Sequence, residues 1–472
     1  MRRASRVYAR FLLSSAGVVV SAVTLLHIIE FVLDPLYLHG PVPPMAHPPR
    51  DIRFAAPGLI RNLEYDAVLV GSSITRNLPR DELDRAVGGR VLVLAMPGTS
   101  AFEQGRVARM ALREKPLRRV FWEVTMLTFR GEPTRLKYVD FPGYLYDEAR
   151  WNDLGYLLSP DGYLLVWQKV GAIVSRAAGR DVWSVARSEH PIRPVDSDSV
   201  LEAGCTALYY MSPPPFVASE YTTEHFLENL RENVLPLVDR HPDVEFVLYM
   251  PPLHVSFYNV LERVSPGFLD RYTTMKLRLY AMAARRSNVR LVDFEDHFDV
   301  VTDFSRYVDT QHHEAGVASY IARHLLDEPH RVKREEMADR LERFRARVVR
   351  EMRAVEPALE AHCQAERDGL EFCRVAYRSF EAAMVALGRG RREAALRSLA
   401  RAIEVEDRGL GESGRKERGS CGFMRDARRV HQELERSLSS RASRAHDEAP
   451  FGAGAARASE ASCEPTMLPA PV

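Results

Sequence analysis

The sequence has no CxxC pair, and its five cysteines, Cys205, Cys363, Cys373, Cys421 and Cys463, stand singly. That argues against a zinc ribbon or a thioredoxin-like redox centre. No group of histidines, cysteines and acids has the ligand spacing of a metal site, so neither a metal nor another cofactor is expected. Charge of one sign is also missing. The chain carries 65 basic and 64 acidic side chains, a formal net charge of +1. Nothing in that balance asks for nucleic acid as a partner. Hydrophobic residues make up 46%, enough for an ordinary core, and 472 residues are enough for two or three units.

One run lacks charge altogether: the 19 residues Phe11 to Ile29. As a helix they would cover about 28 Å, close to the hydrocarbon thickness of a bilayer. MRRASRVYAR before them has four arginines and no acid, which predicts a cytoplasmic N-terminus. The run is longer than a signal-peptide core and no clear A-x-A site follows, so an uncleaved anchor is the expectation. Residues 1–33 are then a cytoplasmic tip and a single inner-membrane helix, with the rest of the chain periplasmic. Residues 34–61 read as a stiff spacer, with six prolines between 34 and 50.

From residue 62 to 328, Val- and Leu-rich runs alternate with amphipathic stretches. Strands are expected at Asp66–Gly71, Arg90–Met96, Arg119–Leu127, Val244–Met250 and Val289–Phe294. Helices are expected near Pro79–Val87, Ala101–Glu114, Thr223–Asp239, Asp270–Arg286 and Glu314–Leu326. Such alternation predicts an α/β fold with a doubly wound, five-stranded parallel sheet. Residues 130–221 break the alternation and are rich in aromatics, among them Trp151, Tyr156, Trp167 and Trp183. An insertion after the third strand's carboxyl end should cover the active face as a lid, where exposed rings stack on sugars and the others pack the lid's own core.

Beyond Pro329 the chain becomes an all-α extension, 329–437. Residues 331–350 hold eight basic and four acidic side chains, the pattern of a solvated helix face. Gly390, Ala395 and Ala402 match the small packing residues of one tetratricopeptide-like hairpin, with its first helix near Tyr377–Leu387. These helices offer a surface for a membrane partner protein. Residues 438–472 are small and polar and read as disordered. In an oxidising compartment two of Cys363, Cys373 and Cys421 would pair, and spacing does not say which.

Chemistry enters with VLVGSSITRNL, Val68 to Leu78. A buried strand stops abruptly on glycine and two serines, at the strand end where open α/β sheets place their sites. A serine nucleophile needs a base, and the base an orienting acid. Both stand in FSRYVDTQHHEAG, where Asp309 and His312 are three apart before the last helix. The second strand ends in LAMPGTS, so the Gly98 amide can face the same spot as an oxyanion donor.

In that order, these pieces resemble the GDSL/SGNH hydrolase superfamily over roughly residues 62–328. The resemblance implies a flavodoxin-like sheet with Ser73 as nucleophile, Ser72 replacing the family's usual aspartate. It implies His312 as base and then acid, Asp309 as its orienter, and the amides of Ser73 and Gly98 as oxyanion donors. The family's third-strand asparagine is missing from VFWEVTMLTF, which has Glu123 and Thr125 instead; Thr125, Thr128 or a residue of the insertion such as Asn152 could serve, or turnover is slow, or the site is degenerate. His254, after the fourth strand, is placed either to bind substrate or to cap its loop, and His313 is a fallback base. With the anchor, the pattern resembles the membrane-tethered branch, such as the D-alanyl transfer protein of teichoic acid modification and the alginate O-acetyltransferases. That likeness implies a serine esterase or O-acyltransferase, with an acyl donor and an envelope polysaccharide or polymer as partners. The other expectation is a degenerate scaffold subunit of a polymer-modifying complex.

Overall fold

The computed structural model describes residues 2–40, 52–136, 141–158, 200–205, 220–327, 330–388 and 391–412, with Trp167, Val170, Arg428, His431, Gln432 and Glu435 as isolated positions. Five strands form one parallel sheet: β1 (Ala67–Gly71), β2 (Val91–Ala95), β3 (Arg119–Glu123), β4 (Glu245–Met250) and β5 (Val289–Asp293). Their order is β2-β1-β3-β4-β5. Alternate residues serve opposite faces, as a pleated strand requires. Val68, Val70, Leu94, Val120, Trp122 and Leu248 face one helical layer; Leu69, Val91, Phe121, Val247 and Tyr249 face the other. The α/β reading from sequence holds, and the order reverses between β1 and β3, where such sheets open a crevice.

β3 is shorter than its sequence suggested. After Glu123 the Thr125 hydroxyl accepts from the Thr128 amide at 3.3 Å, and the Phe129 amide bonds the Thr125 carbonyl at 3.1 Å, turning the chain. The helix expected over 223–239 carries a π turn, Leu230–Val234, between Thr223–Asn229 and Leu235–Arg240. Pro236 cannot donate to an i−4 carbonyl, which accounts for the irregular register. Asn229 and Asn233, at either end of the bulge, donate to the carbonyls of Phe129, Gly131 and Pro133 and fix the loop leaving β3.

The spacer is shorter than 34–61. Ile52–Asn62 is a helix whose residues from Ala55 to Ile60 are buried. Pro57 leaves the Arg53 carbonyl without its helical donor, and the Tyr146 hydroxyl replaces it at 2.6 Å. Gly58 is required because Leu36 and Tyr37 cross here; a β-carbon would sit 2.0 Å from the Leu36 carbonyl oxygen. Residues 41–51 lie outside the described set. The helix Arg2–Leu33 contains an exposed apolar stretch, Ser14–Leu33, long enough to cross a membrane. It reaches the domain near Asn62, whose amide donates to the Tyr37 carbonyl. Asn62 leads into the start of β1, so the apolar helix joins the sheet at the edge opposite the strands' carboxyl ends.

The described parts of the insertion lie at two ends of the sheet. Residues 141–158 pack at the anchor edge: Arg61 pairs with Asp153, Arg150 with Glu114, and Arg113 donates to the Asp147 carbonyl. Tyr146 and Tyr156 are buried there, and Trp151 is 80% exposed at that same edge. Residues 200–205 instead return to the active edge, where Gly204 lies against Leu359 and Thr310. Most of the remaining insertion, Tyr163 and Trp183 included, lies outside the described residues.

The long helix Met337–Gly388 begins as part of the α/β unit, because Met337, Leu341, Phe344, Val348 and Leu359 join its core. Residues up to Val375 belong to that unit, and a second unit starts at Ala376. The expected boundary at 329 is therefore too early. In the second unit Arg392–Glu412 is a helix with Ala395, Leu399 and Ala402 buried, as is Ala383 near the end of the long helix. Gly390 and residues 438–472 lie outside the described set.

The disulfide corrects the sequence reading. Cys363 pairs with Cys205, 158 residues earlier, with the two Cα atoms 5.2 Å apart. Cys421, and the side chain of Cys373, lie outside the described residues. Spacing among the late cysteines was no guide because the partner arrives on the insertion's returning segment. Replacing Cys363 by serine is expected to cost about 2–4 kcal/mol. Thermal unfolding and hydrogen exchange read the change: a lower midpoint, with faster exchange concentrated in 200–205 and the neighbouring loop around Thr310. An unchanged midpoint and unchanged exchange would mean that the bond does not hold the folded protein.

Candidate active site

β1 ends at Gly71, and the chain turns at once into the short helix Ser73–Arg76. Gly71 is fixed by space: a β-carbon would fall 2.1 Å from the Thr75 hydroxyl and 2.8 Å from Glu123 Oε2. Ser72 caps the turn by accepting from the Ile74 amide at 3.2 Å. The result lifts Ser73, half-buried, off the end of β1, an interior strand of the sheet.

Beneath the turn lies a side chain to which the sequence reading assigned no role. Glu123, wholly buried at the end of β3, accepts from the Ser72 amide at 2.9 Å and from the Ser72 hydroxyl at 2.7 Å. It also accepts from the Thr75 hydroxyl, which meets the Tyr249 hydroxyl at 2.6 Å. Burial pushes the Glu123 carboxyl up, and the Thr75 and Ser72 bonds pull only part of the way back. The carboxyl is thus the floor on which the Ser73 turn rests.

Asp309 and His312 share one loop. Asp309 Oδ1 accepts from the amides of Gln311 and His312, each at 2.7 Å, closing a tight local turn. Its Oδ2 meets His312 Nδ1 at 2.7 Å, and His312 Nε2 meets Ser73 Oγ at 2.8 Å. Burial works against the Asp309 charge, yet the His312 ring and the two amides outweigh it and hold the carboxyl below its ordinary range. Burial also opposes protonation of His312, but Asp309, with help from Glu123, raises its proton affinity while Arg76 lowers it; the net shift is upward. The relay from Asp309 through His312 to Ser73 therefore has the hydrogen-bond geometry that base-assisted serine attack needs.

Gly98 occupies the third position of a turn, with Pro97 second and the Thr99 amide bonded to the Met96 carbonyl at 3.1 Å. Its φ of +60° is the one such a turn demands there. Arg53 holds the turn by donating to the Pro97 carbonyl at 3.1 Å, and is itself held by Glu103, the partner of Ser100 in a capping box. Gly98 is exposed, and neither its amide nor that of Ser73 donates to an acceptor among the described residues.

Two other expectations are corrected, and of the two readings of His254 the structure gives the cap. Asn152 donates to Asp147 at the anchor edge, at the far end of the helix Ala101–Glu114, and is not brought near Ser73. Thr125 is fully buried, and its hydroxyl is engaged by Thr128, so it does not face substrate. His254 is also fully buried. Its Nδ1 meets the Ser256 hydroxyl at 2.7 Å, its ring lies on Phe304 and Tyr307, and burial lowers its pKa to about 4. It caps a helix, and its amide holds the Thr310 carbonyl of the His312 loop at 3.2 Å. His313, the fallback base, is buried and kept neutral, with a pKa of about 4. Among the described residues no group of three or more His, Cys, Asp or Glu side chains is arranged to hold a metal ion.

No family model matches the chain, and no curated protein matches it.

Proposed function

We propose that this protein is a membrane-tethered SGNH-type serine esterase or O-acyltransferase that acts on an extracytoplasmic polymer. The observation that carries the reading is the unbroken pair of contacts joining Ser73, His312 and Asp309, at 2.8 and 2.7 Å. Ser73 attacks the acyl carbonyl as its proton passes to His312 Nε2. Asp309 keeps Nδ1 protonated and stabilises the imidazolium. The amides of Ser73 and Gly98 receive the developing negative charge, and His312 returns the proton to the leaving oxygen. Water, or a polymer hydroxyl deprotonated by His312, then attacks the acyl-serine ester and frees Ser73.

The compartment rests on two independent features. Four arginines precede the apolar helix, which favours a cytoplasmic N-terminus. The Cys205–Cys363 bond favours an oxidising compartment for the domain. The anchor joins the edge opposite Ser73, so the nucleophile faces away from the bilayer to which the chain is tied. That favours a polymer acceptor over a lipid of the same membrane.

One observation favours the scaffold reading. With Asn152 remote and Thr125 engaged, neither side chain expected to replace the missing asparagine serves the oxyanion. Losing one donor typically costs about 2.7–4 kcal/mol in the transition state. The deciding experiment uses a serine-directed phosphonate and a small aryl acetate. Labelling is expected at Ser73 in the wild type and not in Ser73→Ala. Hydrolysis should be slow and should accelerate when an oligosaccharide acceptor is added, because a positioned hydroxyl has a high effective molarity. Fast hydrolysis indifferent to acceptor would indicate an esterase. Absence of both labelling and turnover would leave the scaffold.

A further inference from the structure

We propose that the α/β unit rests on the bilayer surface through Trp151, whose indole sits among the lipid headgroups as a second anchoring point beside the apolar helix. This inference rests on the membrane-tethered reading and adds to it how the domain stands on the membrane.

The junction between helix and domain is short. The apolar stretch ends at Leu33, and Leu36 is already fully buried in the core of the α/β unit. Three residues span at most about 10 Å, so the domain begins at the level of the headgroups. The junction is also fixed. The chain bends in the left-handed region at Asp34 and Tyr37, with φ of +42° and +57°. The Asp34 carboxylate holds the bend by accepting from the amides of Leu38, His39 and Gly40 at 2.8, 2.9 and 3.1 Å. Leu36 and Tyr37 are then packed across Gly58. A domain joined in this way does not swing clear of the bilayer on a loose tether.

The domain presents one conspicuous side chain at that level. The 3₁₀ turn Asn152–Leu158 touches the apolar helix, and rings bridge the two: His39 lies 4.6 Å from Phe31 and 6.4 Å from Tyr156. Trp151 stands directly before this turn. Arg150 beside it pairs with Glu114, the last residue of the helix Ala101–Glu114, which puts the segment at the sheet's amino end. Trp151 is 80% exposed, more than any other large apolar side chain described, those of the apolar helix included. Its segment is firmly tied, since Arg61 pairs with Asp153 and Asn152 donates to Asp147 at 2.8 Å. The indole itself adds nothing to the fold's own packing. It joins a large apolar body to one polar N–H, the combination that favours the headgroup layer over both water and hydrocarbon.

Charge is not the force. Arg118 and Arg150 are exposed at this end, and so are Glu64 and Glu148. With both signs present the seat depends on burying the indole, so it should survive raised salt. β1 runs from this end to Gly71, so a seated domain holds Ser73 at a set height above the membrane.

The test uses the full-length chain, labelled with 5-fluorotryptophan, in nanodiscs of phosphatidylethanolamine with a minority of phosphatidylglycerol. The chain has four tryptophans, and the fluorine resonance that Trp151→Phe removes is that of Trp151. A nitroxide on the upper acyl chain of the lipid should broaden this resonance at least twofold, at low and at high salt. A gadolinium chelate in the water should broaden it less than the nitroxide does. The nanodisc holds only lipid and this chain, so no other protein can supply the shielding. A resonance open to the chelate and untouched by the nitroxide overturns the inference, and leaves Trp151 bare or reserved for a partner protein. Nitroxide broadening that vanishes at high salt overturns it too, because charge and not the indole would then hold the domain. Extraction with alkaline carbonate separates this idea from the tether. A chain released from the membrane rejects tether and seat together, whereas a chain retained with Trp151 open to the chelate rejects the seat alone. Phosphonate labelling of Ser73 tests the chemistry independently of either result.

Discussion

Replacing His312 by alanine should lower kcat/KM for a small aryl ester by about 10⁴-fold, the upper range for a positioned general base. Asp309→Asn should approach the same loss, because an amide can hold the ring in the wrong tautomer. The pH profile gives the sign of the mechanism. The wild-type ring has its proton affinity raised above the ordinary 6.5, chiefly because Asp309 outweighs burial. As a base it works only when neutral, so kcat/KM should climb with pH and level off above a midpoint higher than 6.5. Asp309→Asn removes the charge that favours the imidazolium, so the residual activity should rise with a lower midpoint. A profile flat from pH 5 to 9, or a midpoint unmoved in Asp309→Asn, would remove His312 from the reaction.

That relay was legible in the sequence because each of its parts is local. A Val-rich strand stopping on Gly71 announces the turn, and a three-residue spacing lets Asp309 and His312 share one loop. The parts that were not legible depend on what the fold brings together. β1 and β3 pair in register, Val70 beside Trp122, and only that pairing places Glu123 under Ser72. In the sequence it is one acid in an apolar strand, with nothing to separate it from a surface residue. Asn152 misled for the complementary reason. Its segment leaves the active edge and runs to the other end of the sheet, a path that no local pattern records. Cys205 was likewise hidden, since its partner lies 158 residues away on a helix read as a separate extension. His254 had the right place in the chain, after β4, but the rings of Phe304 and Tyr307 enclose it from a loop 50 residues later.

Ser72 stands where the resemblance would put an aspartate, and the acid at this place comes instead from the adjacent strand. That makes Glu123 the side chain whose loss should be felt both in stability and in turnover. In Glu123→Leu three buried donors lose their acceptor: the Ser72 amide, the Ser72 hydroxyl and the Thr75 hydroxyl. Thr75 can still turn to Tyr249, so two groups are orphaned, and at about 1–3 kcal/mol for each the expected loss is about 2–6 kcal/mol. Denaturant unfolding of the detergent-solubilised chain measures it. Glu123→Gln keeps the shape and one carbonyl acceptor, so it should fold and lose less. Its activity then isolates the role in positioning. A displacement of the Ser73 turn by about 1 Å would lower kcat/KM by about 10²-fold, with the loss falling on kcat. The acid limb adds a readout that packing alone would not move. Glu123 favours protonation of His312, so its neutralisation should shift the limb to lower pH. If Glu123→Gln reacts with the phosphonate as fast as the wild type and keeps the same limb, the carboxyl is only a filler beneath the turn, and Ser73 is held by its backbone alone.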